Sequence, residues 1–378
     1  MITRGKSGIF KPQVFSSTVD IEVVPSTVKE VLKLPNWVVA MKEEYHALLA
    51  NHTWTLTQPL QDIQPIGCKW SLISSLQQHF GLKDLGRLHY FLGIEISWTT
   101  HGSLHLSQTK YITDLLHKSG MLSSKPQPTP MISSMRLTRD GTTTVDDSSL
   151  YRSVVGSLQY ILITRPELSY SVNKVCQYLH NPQLHHWKAV KRILRYLVGT
   201  QSHGLLLQPS PHLTIVAFAD AGWGSDPDDR KSISGYTVFF GSNPVVWSSN
   251  KKKTVSRSTT EAEYRSIAAA LAEIKWVSNL LQELSISFPT PKIYSDNLGA
   301  VLLTANPIMH FKTKHFDLDL HFVCDSLQQH QLQLSHVPSH LQLADILTKP
   351  LTGSSFHKFM AKLMVVSNPT ISLQGDVT

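Results

Sequence analysis

The run Leu213-Thr-Ile-Val-Ala-Phe-Ala-Asp220 is nearly all apolar and then stops on a carboxylate. A short, apolar stretch rich in β-branched and aromatic residues reads as a buried strand. Two more strands are predicted at Ile233–Phe240 and Val245–Ser248, joined by the turn Gly241-Ser-Asn-Pro244. Glu261–Leu284 has the spacing of a long helix, and Lys292–Asp296 is a strand opening into another helix. Residues 312–329 are predicted helical, Leu332–Val337 a short strand, and Ala344 onward the last helix. Three strands, a helix, then alternating strand and helix imply an α/β domain over residues 206–350, a mixed sheet flanked by helices.

Upstream the chain divides into unequal blocks. Residues 1–34 scatter Gly, Ser, Thr and Pro among short apolar pairs, and Asn36–Asn51 carries a helical stripe. A second block opens near Ser71, with Tyr90–Ile96 apolar enough for a buried strand and Gln108–Ser119 an amphipathic helix. The Ser/Pro/Thr-rich stretch 123–149 is the expected linker. Helices follow at Tyr151–Thr164, Pro166–Leu179 and His185–Val198, and residues 351–378 carry little pattern. On the third of these helices Lys188, Lys191, Arg192 and Arg195 lie mostly opposite the apolar face, which suits either solvent or a nucleic-acid contact.

Composition bounds the function. The 378 residues allow two to three domains, and 41% hydrophobic with 16% charged residues suits a soluble globular protein. Lys and Arg number 35 against 27 Asp and Glu, a formal net charge of +8 that favours a polyanionic partner. The 3 cysteines are too far apart in sequence for a zinc knuckle or redox pair and suit a reducing compartment. Neither a secretory signal nor an apolar run of about 18 residues is present, so an intracellular protein, cytoplasmic or nuclear and off the membrane, is expected.

Four carboxylates are candidates for chemistry. Asp220 and Asp296 each end a strand; alone, the first also reads as a turn former and the second as a helix cap. The apolar stripe Ile267, Leu271, Ile274, Leu281, Leu284 extends back four residues onto Glu263, while Glu261 points away from it. An ionised carboxylate on that inward edge is costly without a cation or hydrogen bonds. Asp345 sits at the start of the last helix, and His336 and His340 just upstream are candidates for proton transfer or plain surface histidines. If the four converge, repulsion raises their pKa values unless hard divalent cations neutralise them. Oxygen-only ligands suit Mg²⁺ or Mn²⁺ rather than Zn²⁺. Two such ions ~4 Å apart can activate a water and stabilise the leaving oxygen of a phosphodiester.

The order Asp220…Thr260-Glu-Ala-Glu-Tyr264…Ser295-Asp-Asn297…Ala344-Asp-Ile-Leu-Thr-Lys-Pro-Leu351 resembles the ribonuclease H domain of copia-type LTR-retrotransposon Pol polyproteins. Phe80-Gly-Leu-Lys-Asp-Leu-Gly86, Tyr90-Phe-Leu-Gly-Ile-Glu95, Tyr151-Arg-Ser-Val-Val-Gly-Ser-Leu-Gln-Tyr160 and Lys312-Thr-Lys-His315 resemble the same family's reverse transcriptase end and connection. Thr3–Pro12, Asn51-His-Thr-Trp54 and Gly67-Cys-Lys-Trp70 are similar to the start of its polymerase region. The resemblance implies a remnant of the N-terminal reverse transcriptase region over 1–70, a C-terminal remnant and connection over 71–205, and a ribonuclease H-like domain over 206–350. It implies two Mg²⁺ ions on Asp220, Glu263, Asp296 and Asp345, and cleavage of the RNA strand of RNA/DNA hybrids. Lys251, Lys252, Lys253 and Arg257 are the expected nucleic-acid contacts. Gly222 stands where the family usually has a second Asp, and Cys324 where a basic residue is common.

The same resemblance exposes a gap. Trp70 runs directly into sequence that, in the family, lies beyond the Tyr-x-Asp-Asp motif of the polymerase palm. An internal deletion near 70/71 is implied, and polymerase activity is expected to be absent. Val145-Asp-Asp147 lacks the Tyr, and Tyr294-Ser-Asp-Asn297 already belongs to the other site. The rival expectation is a non-catalytic, nucleic-acid-binding or functionless remnant. The run His315-Phe-Asp-Leu-Asp-Leu-His321 reads as a metal-binding face on a strand, or as two structural faces on a helix.

Overall fold

The computed structural model describes residues 88–99, 102–141, 143–305 and 316–368, together with Val38, Val39 and Lys42. The Trp70–Ser71 junction, the motifs over 3–86 and Lys312–His315 lie outside the described residues, and of the helix expected over 36–51 only Val38, Val39 and Lys42 are described, all helical. Residues 1–86 and 87–378 form two separate units.

Strands β1 (Tyr90–Phe91), β2 (Ile94–Trp98), β3 (Leu104–Ser107), β4 (His203–Leu207) and β10 (Val365–Ser367) form an antiparallel sheet in the order β1-β2-β3-β4-β10. The stretch expected as one buried strand over 90–96 is instead a hairpin. Leu92 and Gly93 both take positive φ, 46° and 73°, which reverses the chain in two residues, and the Tyr160 hydroxyl donates to the Leu92 carbonyl. Tyr90, Phe91 and Leu92 are left exposed.

Helices α1 (Thr109–Lys118), α2 (Ser148–Ile161), α3 (Ser169–Cys176) and α4 (Leu184–Gly199) bury Ile112, Leu116, Val154, Leu158, Val172, Ile193 and Leu197 in one cluster. Asp147 caps α2 by accepting the Ser149 and Leu150 N–H groups. The expected linker is no free tether. Met131 and Leu137 are buried, Arg192 donates to Gln127 Oε1 (3.0 Å) and Thr129 Oγ1 (2.9 Å), and Arg195 Nε donates to the Lys125 carbonyl (2.7 Å). Two of the four cations on α4 therefore hold the connector, while Lys188 and Lys191 stay exposed.

The second sheet has the order β7-β6-β5-β8-β9, from β5 (Ile215–Gly222), β6 (Ile233–Phe240), β7 (Asn243–Lys251), β8 (Lys292–Ser295) and β9 (Gln333–His336). β5, β6 and β7 are antiparallel, and β8 and β9 run parallel to β5. A bulge at Val238/Phe239 accommodates Pro244 on the edge strand β7. Side-chain alternation on β5 gives the sheet two covered faces. Ile215, Ala217 and Ala219 meet α5 (Thr259–Glu283) through Tyr264, Ile267, Leu271 and Ile274. Phe218, Phe239 and Trp247 pack instead on the cluster of α2, α3 and α4, and the Trp247 indole donates to the Leu162 carbonyl. α6 (Leu298–Ala305) and α7 (Asp317–Gln328) complete the flanks. This is the mixed sheet flanked by helices expected of the region.

The stretch expected to carry little pattern past 351 contains α8 (Gly353–Lys362) and β10. Phe356, Phe359, Leu363 and Val365 are buried; their apolar spacing is too brief to stand out in the sequence. No helix among the described residues is long and apolar enough to cross a membrane.

Candidate metal centre

Sheet register brings two of the four carboxylates together. The parallel pairing of β5 with β8 sets Phe218 against Tyr294, and two residues further on Asp220 lies opposite Asp296, on strands ~4.8 Å apart. Neither does the alternative job its position allowed. Asp220 accepts a hydrogen bond from the Thr348 hydroxyl, and the cap of α6 is Asn297, whose Oδ1 accepts the Ala300 N–H (2.8 Å).

The third arrives on a segment that depends on close packing. Asp345 sits in the 3₁₀ turn Leu343–Leu347, where a regular helix was expected. Gln342, fully buried, donates to the Ala219 carbonyl (2.9 Å) and accepts the Ala344 N–H (3.2 Å), which ties the turn to β5. Gly235, paired with Asp220 across β6, leaves the room: a Cβ there would come within 2.6 Å of Thr348 Cγ2 and 2.9 Å of Leu347 Cβ. One carboxylate oxygen from each of Asp220, Asp296 and Asp345 then lies within 4.8 Å of the others, the only such group of three His, Cys, Asp or Glu ligands among the described residues.

Glu263 flanks this group. It is 7% exposed; Oε1 accepts the Ala221 N–H (3.3 Å), while Oε2 is buried without a hydrogen-bond partner. Burial, with Asp220 and Asp296 close by, pushes its carboxyl up to about 10. Burial and Asp220 push Asp345 up to about 7, against the pull of Lys349, whose Nζ lies 2.8 Å from Asp345 Oδ1 as an ion pair without hydrogen-bond alignment. Carboxylates held this close with a buried oxygen unpaired fit a divalent cation. The donor set is all oxygen, suited to a hard ion such as Mg²⁺ or Mn²⁺.

Glu261 departs from expectation. It faces away from the apolar stripe yet is buried, accepting the Arg257 N–H (2.7 Å) and pairing with Arg265 (2.9 Å); the α5 N-terminus rewards that charge. His336 and His340 are both exposed, and β9 sets His336 opposite Ser295, one residue before Asp296. His321 faces Asp317 one helical turn away on α7, both exposed, and His315 lies outside the described residues.

The basic residues diverge. Lys251 is not a free contact: it pairs with Asp226 (3.0 Å) and Asp229 (2.9 Å). Lys174 also reaches Asp226 at 2.8 Å. Burial alone would raise the Asp226 carboxyl, but hydrogen bonds from the two ammonium groups hold it well below the usual carboxylate range. Lys252 is half-buried, and desolvation lowers its pKa. Lys253 and Arg257 are exposed.

The chain is 48% identical over 298 residues to a retrovirus-related Pol polyprotein from transposon RE2 of Arabidopsis thaliana, covering 79% of this chain and 20% of that protein. A Pol polyprotein from transposon TNT 1-94 of Nicotiana tabacum is 35% identical over 293 residues, 75% of this chain and 22% of the relative. The chain belongs to the retrovirus-related Pol polyproteins of copia-type transposons.

It spans about a fifth of the length of these Pol relatives. No family model matches. Among solved structures, LC11 ribonuclease H1, isolated from compost by a metagenomic approach, is 16% identical and covers 39% of this chain and 97% of its own, with a TM-score of 0.29. Within this Pol segment, sequence reasoning overlooked Gln342, Gly235, Thr348 and Lys349. Gly235 alone left a signal, since an isolated glycine inside a strand marks close backbone approach. Gly222 is tight but less crowded, because a Cβ there would meet Ser225 Oγ at 3.0 Å and the Thr348 carbonyl at 3.3 Å. Cys324 is buried beside the Tyr264 hydroxyl (3.7 Å).

Proposed function

We propose that this Pol segment is a Mg²⁺-dependent endonuclease that cuts the RNA strand of RNA/DNA hybrids and has lost polymerase activity. The observation that carries the reading is the meeting of Asp220, Asp296 and Asp345 beside the unpaired Glu263 Oε2 at the ends of the inner strands β5 and β8. A divalent ion bound there supplies Lewis acidity to a water and to the leaving oxygen of a phosphodiester. Asp220, Asp296 and Asp345 would hold the ion, and Glu263, with Oε2 buried and unpartnered, flanks them. Lys253 and Arg257 supply positive charge for the backbone of the hybrid, and His336, beside Asp296, is better placed by register than His340 to handle a proton. The test is a labelled RNA/DNA hybrid with Mg²⁺, beside Asp220→Asn and Glu263→Gln. Cutting that falls at least ~100-fold in both variants supports the reading. Equal cutting in all three refutes it.

The second reading, a binding remnant without catalysis, is favoured by the exposed Tyr90, Phe91 and Leu92 of the β1–β2 hairpin, an apolar surface of the kind that marks a lost partner. Hybrid retained but uncut selects it. The loss of polymerase activity rests on the sequence gap at 70/71, with Asp147 serving as a helix cap. Templated primer extension by this chain would overturn that part.

A further inference from the structure

The carboxylate group contains a cation of the chain's own. Lys349 Nζ stands 2.8 Å from Asp345 Oδ1, with the Lys349 side chain 48% exposed, and Asp220 and Asp296 are near enough for their charge to act on it. The adjoining Thr348 hydroxyl bonds Asp220, and the Thr348 and Lys349 N–H groups both donate to the Asp345 carbonyl, at 3.2 and 3.1 Å. Two successive side chains therefore engage two of the three clustered aspartates, on a backbone fixed by its bonds to Asp345. This is an unusual use of a lysine. A lysine serving only the surface would reach outward to solvent, where an exposed pair is worth little.

Resting on the metal-site reading above, we propose that Lys349 is a resident counter-cation that competes with divalent metal for the carboxylate group, with Thr348 as its latch on Asp220. In the metal-free chain the ammonium offsets part of the repulsion among the aspartates. A divalent ion entering must displace it from Asp345, and the half-exposed side chain has solvent to move into. Lys349 thereby sets the metal concentration at which the site fills, and it weakens loading of the site.

The experiment is calorimetric titration of the full chain with Mg²⁺ and with Mn²⁺, for the parent, Lys349→Met and Lys349→Arg, plus melting points in EDTA and in Mg²⁺. Lys349→Met should bind both ions roughly two- to fivefold tighter, the size of a partly exposed ion pair removed. Lys349→Arg, which keeps the charge, should stay near the parent. In EDTA the Met variant should melt below the parent, and Mg²⁺ should close that gap. Equal or weaker Mg²⁺ binding by Lys349→Met, in a parent that binds Mg²⁺, overturns the competition while leaving the metal site standing. Absence of millimolar binding in the parent and both variants overturns the metal-site reading and this inference with it.

Discussion

At the scale of single residues, the site is defined by charge that the fold neutralises only in part. Asp345 and Glu263 bind protons more tightly folded than unfolded, because burial and neighbouring aspartates oppose ionisation. The sign follows from linkage: stability from a raised carboxyl is complete below its unfolded pKa and is lost as pH climbs through the folded value. For Asp345 that window runs from the ordinary 3.8 to about 7, and for Glu263 from 4.5 to about 10. Metal-free protein is therefore expected to lose stability between pH 4 and 7 and to keep losing it above, with saturating Mg²⁺ flattening the slope. Glu263→Gln, which removes one ionising group, should raise metal-free stability at pH 8 by about 1 kcal/mol, or ~2–4 °C in melting temperature. Melting curves in EDTA across pH decide it, and a lower melting point for Glu263→Gln at pH 8 contradicts the account.

At the scale of elements, the centre depends on an irregular segment seated directly on a strand. Leu343–Leu347 is a 3₁₀ turn held by Gln342 against β5, and Gly235 on β6 is what lets Thr348 and Leu347 approach. Gly235→Ala should cost about 1–3 kcal/mol, the usual range for forcing extra volume into a packed contact. It should also weaken Mg²⁺ binding, because the displaced backbone carries Asp345. Denaturant unfolding with Mg²⁺ titration of the same variant reads both, and a variant as stable and as metal-competent as the parent removes Gly235 from the site. The carboxylate-bearing end of β5 was legible, since an apolar run closing on Asp220 is a local pattern. The seating of the 343–348 turn was not, because nothing in residues 343–348 names the strand that accepts them.

At the scale of the whole described unit, the mixed sheet shares a core with the helices that precede it. One of its faces, through Phe218, Phe239 and Trp247, packs on α2, α3 and α4. Past its last helix the chain returns to pair β10 with β4 in the other sheet. A fragment ending at residue 350 loses the buried Phe356, Phe359, Leu363 and Val365, each worth ~1.5–3 kcal/mol of apolar burial. That sum rivals the net stability of an ordinary domain. An excised 206–350 should therefore be insoluble or molten, whereas 88–368 should melt cooperatively. Calorimetry on both decides this, and a cooperative transition for 206–350 alone would show that the boundary expected from the sequence is a true one.

The amino-acid sequence by itself determined the strands of the second sheet, the long helix, the family and the four candidate carboxylates. Each of these rests on spacing within one element or on motifs that stay contiguous in the chain. Tertiary structure alone decided that Asp220, Asp296 and Asp345 meet, that Lys251 is committed to Asp226 and Asp229, that Glu261 is buried, and that Arg192 and Arg195 hold the connector. A side chain's charge is written in the sequence, but its partner is whichever backbone the fold brings alongside, and Coulomb and hydrogen-bond energies fall off over a few ångströms.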